Sequence, residues 1–222
     1  MQLLRLLHAQ TLPPRRHAGR AVWWSMAVAA ALWFLMFSPW TKGLLNFWYT
    51  MAASGIVLSA LSVRYGRDWF HDVHISLRSL LLGLAIAFVL WWVFWTGDKV
   101  SQLLFGFARP QVDLIYGMKG STPPAVIGAL LLCVIGPAEE IFWRGFVQRR
   151  LMQRYGMNAG FVVATLCYTL IHIWSFNLML VLAAMVCGIL WGGIYRLWPR
   201  AFFPLLLSHA VWDCAAFVVF PF

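Results

Sequence analysis

Charge is scarce in this chain. Charged residues make up 11% of its 222 positions, against about 25% in ordinary soluble domains, and 62% of the residues are hydrophobic. A soluble fold of this length cannot hide so much apolar surface, so the water-soluble classes are excluded. A signal-peptide cleavage site is also missing: the first apolar run ends in Phe37-Ser38-Pro39-Trp40, which has no small-residue pattern, so that run reads as a retained anchor. The four cysteines, Cys133, Cys167, Cys187 and Cys214, all lie in apolar runs without CxxC spacing. That argues against disulfide or cysteine-metal chemistry and for small packing residues. Repeats, low-complexity linkers and soluble modules are absent too. The expectation is one transmembrane domain over 21–222, with motifs in about 124–220, after a basic interfacial segment over 1–20 in which Pro13-Pro14 breaks a short amphipathic helix.

What the chain does have is length of apolar sequence. A hydrocarbon core about 30 Å thick is crossed by about 20 helical residues. Seven runs qualify: Ala21–Phe37, Leu44–Val63, Leu77–Trp95, Pro124–Arg144, Gly160–Trp174, Leu178–Tyr195 and Ala201–Phe220. Phe146, Val147, Leu151 and Met152 recur at helical spacing and extend the fourth toward Gln153. The fold class is all-α, a polytopic membrane bundle of about seven transmembrane helices, or eight helices with interfacial segments. In the loop Thr96–Thr122, the spacing of Val100, Leu103, Leu104 and Phe107 predicts a short interfacial helix. The loop Arg64–Ser76 gathers Asp68, His71, Asp72 and His74, read as a solvated polar loop in preference to a metal site.

The net charge of +10 does not point to nucleic acid, because of where it sits. With seven spans, Lys42, Lys99, Arg109 and Lys119 fall on one side and the other thirteen basic residues on the opposite side. The positive-inside rule then puts the N-terminus in the cytoplasm and the C-terminus outside, in a multi-pass protein of a cell (inner) membrane. The basic face suits anionic lipid headgroups.

An ionisable group at the centre of a membrane helix costs about 2.5–3.5 kcal/mol on insertion scales. Three of the seven acids (Glu139, Glu140, Asp213) and two of the six histidines (His172, His209) nevertheless lie in spans, on the fourth, fifth and seventh only. Glu140 and Arg144 have the favourable i,i+4 order for a helical ion pair, whereas Glu139 has no basic neighbour at that spacing and points elsewhere. Pro137 predicts a local kink one turn before them. Tyr168 with His172, and His209 with Asp213, each place two polar side chains on one helix face; Asp213 is expected to hold a nitrogen of His209 and fix its tautomer. Counting from the basic ends, His209 lies roughly 14 Å deep, Glu139 roughly 15 Å and His172 roughly 20 Å. One shared layer is expected, in a cavity open to the cytoplasm. A carboxylate and an imidazole there can together take a proton from water, and a second imidazole can stabilise the oxyanion formed at a carbonyl.

Glu139-Glu140-x-x-x-Arg144, Tyr168-x-x-x-His172 and His209-x-x-x-Asp213 resemble the motifs of the CPBP (CAAX protease and bacteriocin-processing, or Abi) intramembrane endopeptidases, a family related to the type II CAAX prenyl endopeptidase. The resemblance covers about 124–220. It implies that Glu139 activates water, that His172 assists, that His209 and Asp213 form the oxyanion site, and that Glu140, Arg144 and Tyr168 support them. Two positions depart from the pattern: Tyr168 stands where Phe is frequent, and Asp213 stands where the prenyl endopeptidases carry Asn. An ionised Asp213 cannot donate to an oxyanion, so it either acts protonated or orients His209.

The expected partners are a membrane-associated peptide or protein substrate and the lipid bilayer. No cofactor is expected and no oligomeric state is assigned. The alternatives are a zinc metalloprotease using Glu139, His172 and His209, and a non-catalytic peptide-binding or transport protein. Axial haem ligation by two histidines leaves the acids without a purpose, and polar residues acting only as interhelical glue leave their concentration unexplained.

Overall fold

The computed structural model describes residues 19–222. The basic segment expected over 1–20 therefore lies outside the described residues, apart from Gly19 and Arg20 in the first turn of α1. Eight helices follow: α1 (Gly19–Phe37), α2 (Phe47–Gly66), α3 (Leu77–Leu104), α4 (Ala108–Gly117), α5 (Pro124–Tyr155), α6 (Met157–Leu170, continued by a 3₁₀ turn Ile171–Ser175), α7 (Leu178–Leu197) and α8 (Phe202–Cys214, continued by a wide turn Ala215–Val219). No strand occurs among the described residues. The chain is an all-α multi-pass membrane protein.

Local chemistry sets the boundaries. Asn46 caps α2 by accepting from the amides of Trp48 and Tyr49, and Asn177 caps α7 through Leu180. Ser76 and Ser79 close a reciprocal capping box at the start of α3. Between α5 and α6 the chain reverses at Gly156, whose φ of 88° is left-handed space that favours glycine.

Contacts between helix ends sort them into two sets. Asp72 pairs with Arg149, Arg196 bonds Asn158 and Trp69 packs on Phe202, so the α2–α3, α5–α6 and α7–α8 connections share one end of the bundle. Asn46 bonds Thr122, Asn177 bonds the Gln111 carbonyl, and Trp91 bonds the Phe220 carbonyl, so the α1–α2, α3–α5 and α6–α7 connections share the other end with the last residues. The first is called the arginine end and the second the far end.

Two expectations are corrected. Six helices among the described residues are long and apolar enough to cross a membrane; α2, which holds all but the first three residues of the expected run Leu44–Val63, is not one of them. Tyr49, Thr50, three serines and Arg64 dilute its apolar content. It still runs between the same two ends as α5, from the Asn46–Thr122 contact to Gly66 beside Arg150. The second correction concerns Thr96–Thr122. The helix does not stop at Trp95 but continues as α3 to Leu104, and the short helix is α4, over Ala108–Gly117. No proline interrupts the chain between Trp95 and Pro110, the helix carries Gly97 within it, and Gln102 bonds back to Asp98 at i,i+4.

Candidate active site

The site is built around α5. In this helix Gly136–Glu140 keeps α-helical pitch but is flanked by wide π-type turns at Leu131–Ile135 and Ile141–Gln148. The disturbance expected at Pro137 takes this form, since proline has no N–H to give the preceding turn, and such turns are frequent at functional sites. Gly136 determines what comes next to them. A Cβ there would lie 2.6 Å from the Ala210 Cα and 2.8 Å from its amide nitrogen. Only glycine lets the α8 backbone come so close, and that contact sets His209 beside Glu140.

Glu140 is fully buried. Its Oε1 accepts from Arg144 Nη1 at 2.8 Å and meets His209 Nδ1 at 2.7 Å. Arg144 also donates to the Cys187 carbonyl at 3.3 Å, and its guanidinium lies over the Tyr168 ring at 4.6 Å. The ring of His209 stacks on Trp191 with centroids 3.9 Å apart. A carboxylate already paired with arginine can only accept, so Nδ1 of His209 carries the hydrogen and Nε2 is left facing Asp213 Oδ2 at 3.5 Å. The tautomer is thus set by Glu140 from another helix. Asp213, expected for that role, is the more distant partner.

Glu139 points elsewhere, and Tyr168 Oη donates to its Oε2 at 3.2 Å. His172 has both nitrogens engaged: Nδ1 lies 2.8 Å from the Tyr168 carbonyl, and Nε2 accepts from the Trp33 indole at 3.2 Å. A carbonyl accepts and an indole N–H donates, so His172 is neutral with its hydrogen on Nδ1. Trp33, from a part of the chain without recognised motifs, was not anticipated. As one of fourteen tryptophans it carries no distinguishing local signal.

Glu139, Tyr168, His172, His209 and Asp213 line one cavity of about 390 Å³. Its remaining wall is mostly apolar, with Phe37, Trp48, Met51, Phe94 and Phe217 among the lining residues. Trp212 lines it as well, while Trp143 borders a small neighbouring void beside Glu139. Asp98, Ser101 and Tyr116 add further polar groups to the wall that the sequence did not single out. Asp98 is buried near the end of α3, and Tyr116 of α4 donates to the Ala216 carbonyl. Burial raises the Tyr116 pKa, so the phenol keeps its proton and remains a donor.

The cavity does not open toward the arginine end as expected. Its lining stops at Glu139 on α5, Tyr168 on α6, Cys187 on α7 and His209 on α8, and from there continues only toward the far end. Beyond that floor the bundle is solid: Val147, Gln148, Trp191, Tyr195, Phe202 and Leu205 are all buried. Counting helical rise gives depth from sequence, but not which side the large residues fill.

Among the described residues no group of three or more His, Cys, Asp or Glu side chains is placed to hold a metal ion. Of the zinc alternative's residues Glu139, His172 and His209, it is His172 that fits poorly as a ligand, since Nδ1 faces the Tyr168 carbonyl and Nε2 accepts from Trp33, whereas His209 engages only Nδ1 with Glu140 and keeps Nε2 open. In the 64–76 loop, Asp72 pairs with Arg149 and Asp68 with Arg150.

Residues 121–215 match a family model described as type II CAAX prenyl endopeptidase Rce1-like, consistent with the CPBP family that the motifs resemble. No curated protein and no solved structure gives a significant match. The matched segment runs from the residues before α5 to the end of α8 and contains every motif residue described above. The family supports a protease acting within the membrane.

Proposed function

We propose that this protein is an endopeptidase that hydrolyses a peptide bond of a membrane-associated substrate with a water molecule activated by Glu139. One observation carries the reading: of two adjacent buried glutamates, Glu140 is consumed by Arg144 and His209, while Glu139 faces a cavity it shares with both histidines. Glu139 takes a proton from water as the water oxygen attacks the carbonyl carbon. The carbonyl oxygen gains the electron pair of the broken π bond. With Nδ1–H committed to Glu140, a proton on Nε2 makes His209 a donor toward that oxygen. Collapse breaks the C–N bond, and Glu139 returns its proton to the departing nitrogen. Asp213 orients Nε2 or, when protonated, donates beside it. His172 and Tyr168 hold the cavity wall, with the Tyr168 hydroxyl fixing the Glu139 carboxylate. The engagement of both His172 nitrogens by Tyr168 and Trp33 supports this water-based chemistry over a zinc-centred one.

The test compares membrane proteomes of cells carrying the wild type and Glu139→Gln. Glutamine has the same shape and still accepts from Tyr168, so the fold should persist while a precursor accumulates. Processing that continues unchanged in the Gln variant would show that Glu139 is not the base.

A further inference from the structure

The cavity has a floor and a mouth, and the two differ in charge. Among the described residues nine arginines sit at the arginine end: Arg20, Arg64, Arg67 and Arg78, then Arg149, Arg150, Arg154, Arg196 and Arg200. The far end carries Lys42, Lys99, Arg109 and Lys119. Basic residues close to span ends are retained on the cytoplasmic side, which makes the arginine end cytoplasmic. The cavity leads the other way. Past the floor it is bounded by Ser101 near the end of α3, by Tyr116 and Met118, by Met179 at the start of α7, and by Phe222. All of these belong to the far end. Toward the cytoplasm the site is shut by the buried residues under His209 and by the Asp72–Arg149 pair tying the α2–α3 connection to α5.

We infer that the site is entered from the extracytoplasmic face, so that its substrate is a peptide segment presented on that side of the membrane, such as the outer end of an anchored or translocated chain. The substrate part of this inference rests on the peptidase reading; the direction of entry does not. The mouth suits such a segment: it is mainly apolar, accommodating a stretch partly embedded in lipid, and the phenol of Tyr116, the carboxylate of Asp98 and the hydroxyl of Ser101 are among its polar features.

Direction is measured without turnover. In a chain with its four cysteines replaced by alanine, single cysteines are introduced by Ser101→Cys in the cavity wall, Lys42→Cys at the exposed far end and Arg200→Cys at the exposed arginine end. A small, membrane-impermeant methanethiosulfonate is applied to intact cells and to inverted vesicles. Lys42→Cys and Ser101→Cys should react in intact cells, and Arg200→Cys only in inverted vesicles. If Lys42→Cys reacts only in inverted vesicles, the orientation is wrong and the inference fails. If Lys42→Cys reacts from outside while Ser101→Cys reacts only from inside, or only after detergent, the cavity does not open outward and the inference fails. Either failure leaves the Glu139→Gln test of peptidase activity untouched, and a null result there leaves the direction of entry standing.

Discussion

Replacing Arg144 by methionine isolates the interaction at the centre of the bundle. The guanidinium and the Glu140 carboxylate are 2.8 Å apart, with side chains 2% and 0% exposed. Removing one partner of a buried ion pair costs about 3–5 kcal/mol, mainly because the other charge is left uncompensated. In Arg144→Met, His209 still contacts Glu140, which places the loss near about 3 kcal/mol, and the contact with the Tyr168 face adds up to about 1 kcal/mol. Glu140→Gln should also cost about 3 kcal/mol, since it strands a buried arginine. The double variant strands neither charge, so it should lose only about 3 kcal/mol in all, a coupling of about 3 kcal/mol between the two sites. Unfolding in mixed micelles of rising SDS content reads these differences, and about 1.4 kcal/mol corresponds to a tenfold shift in the equilibrium. A double variant that loses the sum of the two single losses would refute the reasoning, as would an Arg144→Met variant within about 1 kcal/mol of wild type.

Three other outcomes are expected. Gly136→Ala pushes a Cβ against the Ala210 backbone, which yields less readily than a side-chain tip; it should destabilise by about 1–3 kcal/mol and, by moving His209 about 1 Å, slow precursor processing about 10²-fold. Normal processing in that variant would mean the α5–α8 approach is not critical. Trp33→Phe keeps the ring contacts but removes the indole donor to His172; a loss of about 0.5–1.5 kcal/mol in the same unfolding assay is expected, and no loss would show that the indole does not hold the imidazole. Asp72→Asn weakens the tie to Arg149 at the arginine end, where the Arg149 and Asp72 side chains are only 10% and 15% exposed. Its cost, about 1–3 kcal/mol, should change little as salt rises because a largely buried pair is poorly screened; a cost that disappears in salt would mean the pair behaves as a surface one.

The parts of the site legible in the sequence are the local ones. Glu140 and Arg144 are one helical turn apart, so their pairing follows from helix geometry alone, and the same spacing put Tyr168 on the face of His172. The composition of three spans pointed to the layer that holds Glu139, His172, His209 and Asp213. What stayed hidden depends on long-range approach. Asp213 was the natural partner for His209 at i,i+4, yet Glu140 takes Nδ1 from 69 residues away, because Gly136 admits the α8 backbone and no period along the chain encodes that contact. Trp33 reaches His172 across 139 residues for the same kind of reason. The expected boundary of α3 followed hydropathy, whereas the helix runs on through polar residues that bond to one another, Gln102 to Asp98 at i,i+4.

The reach of α1 into the site has an evolutionary consequence. The family signature begins at residue 121, but Trp33 on α1 holds a histidine of the motif, and Phe37, Trp48, Phe94, Asp98 and Tyr116 from the first four helices supply much of the cavity wall. The recognisable segment is therefore not a portable module: transplanted behind another protein's leading helices, it would carry its reagents into an unfamiliar chamber. Such a division of labour leaves the shape of the chamber to the leading helices and its buried acid and imidazole groups to the matched segment.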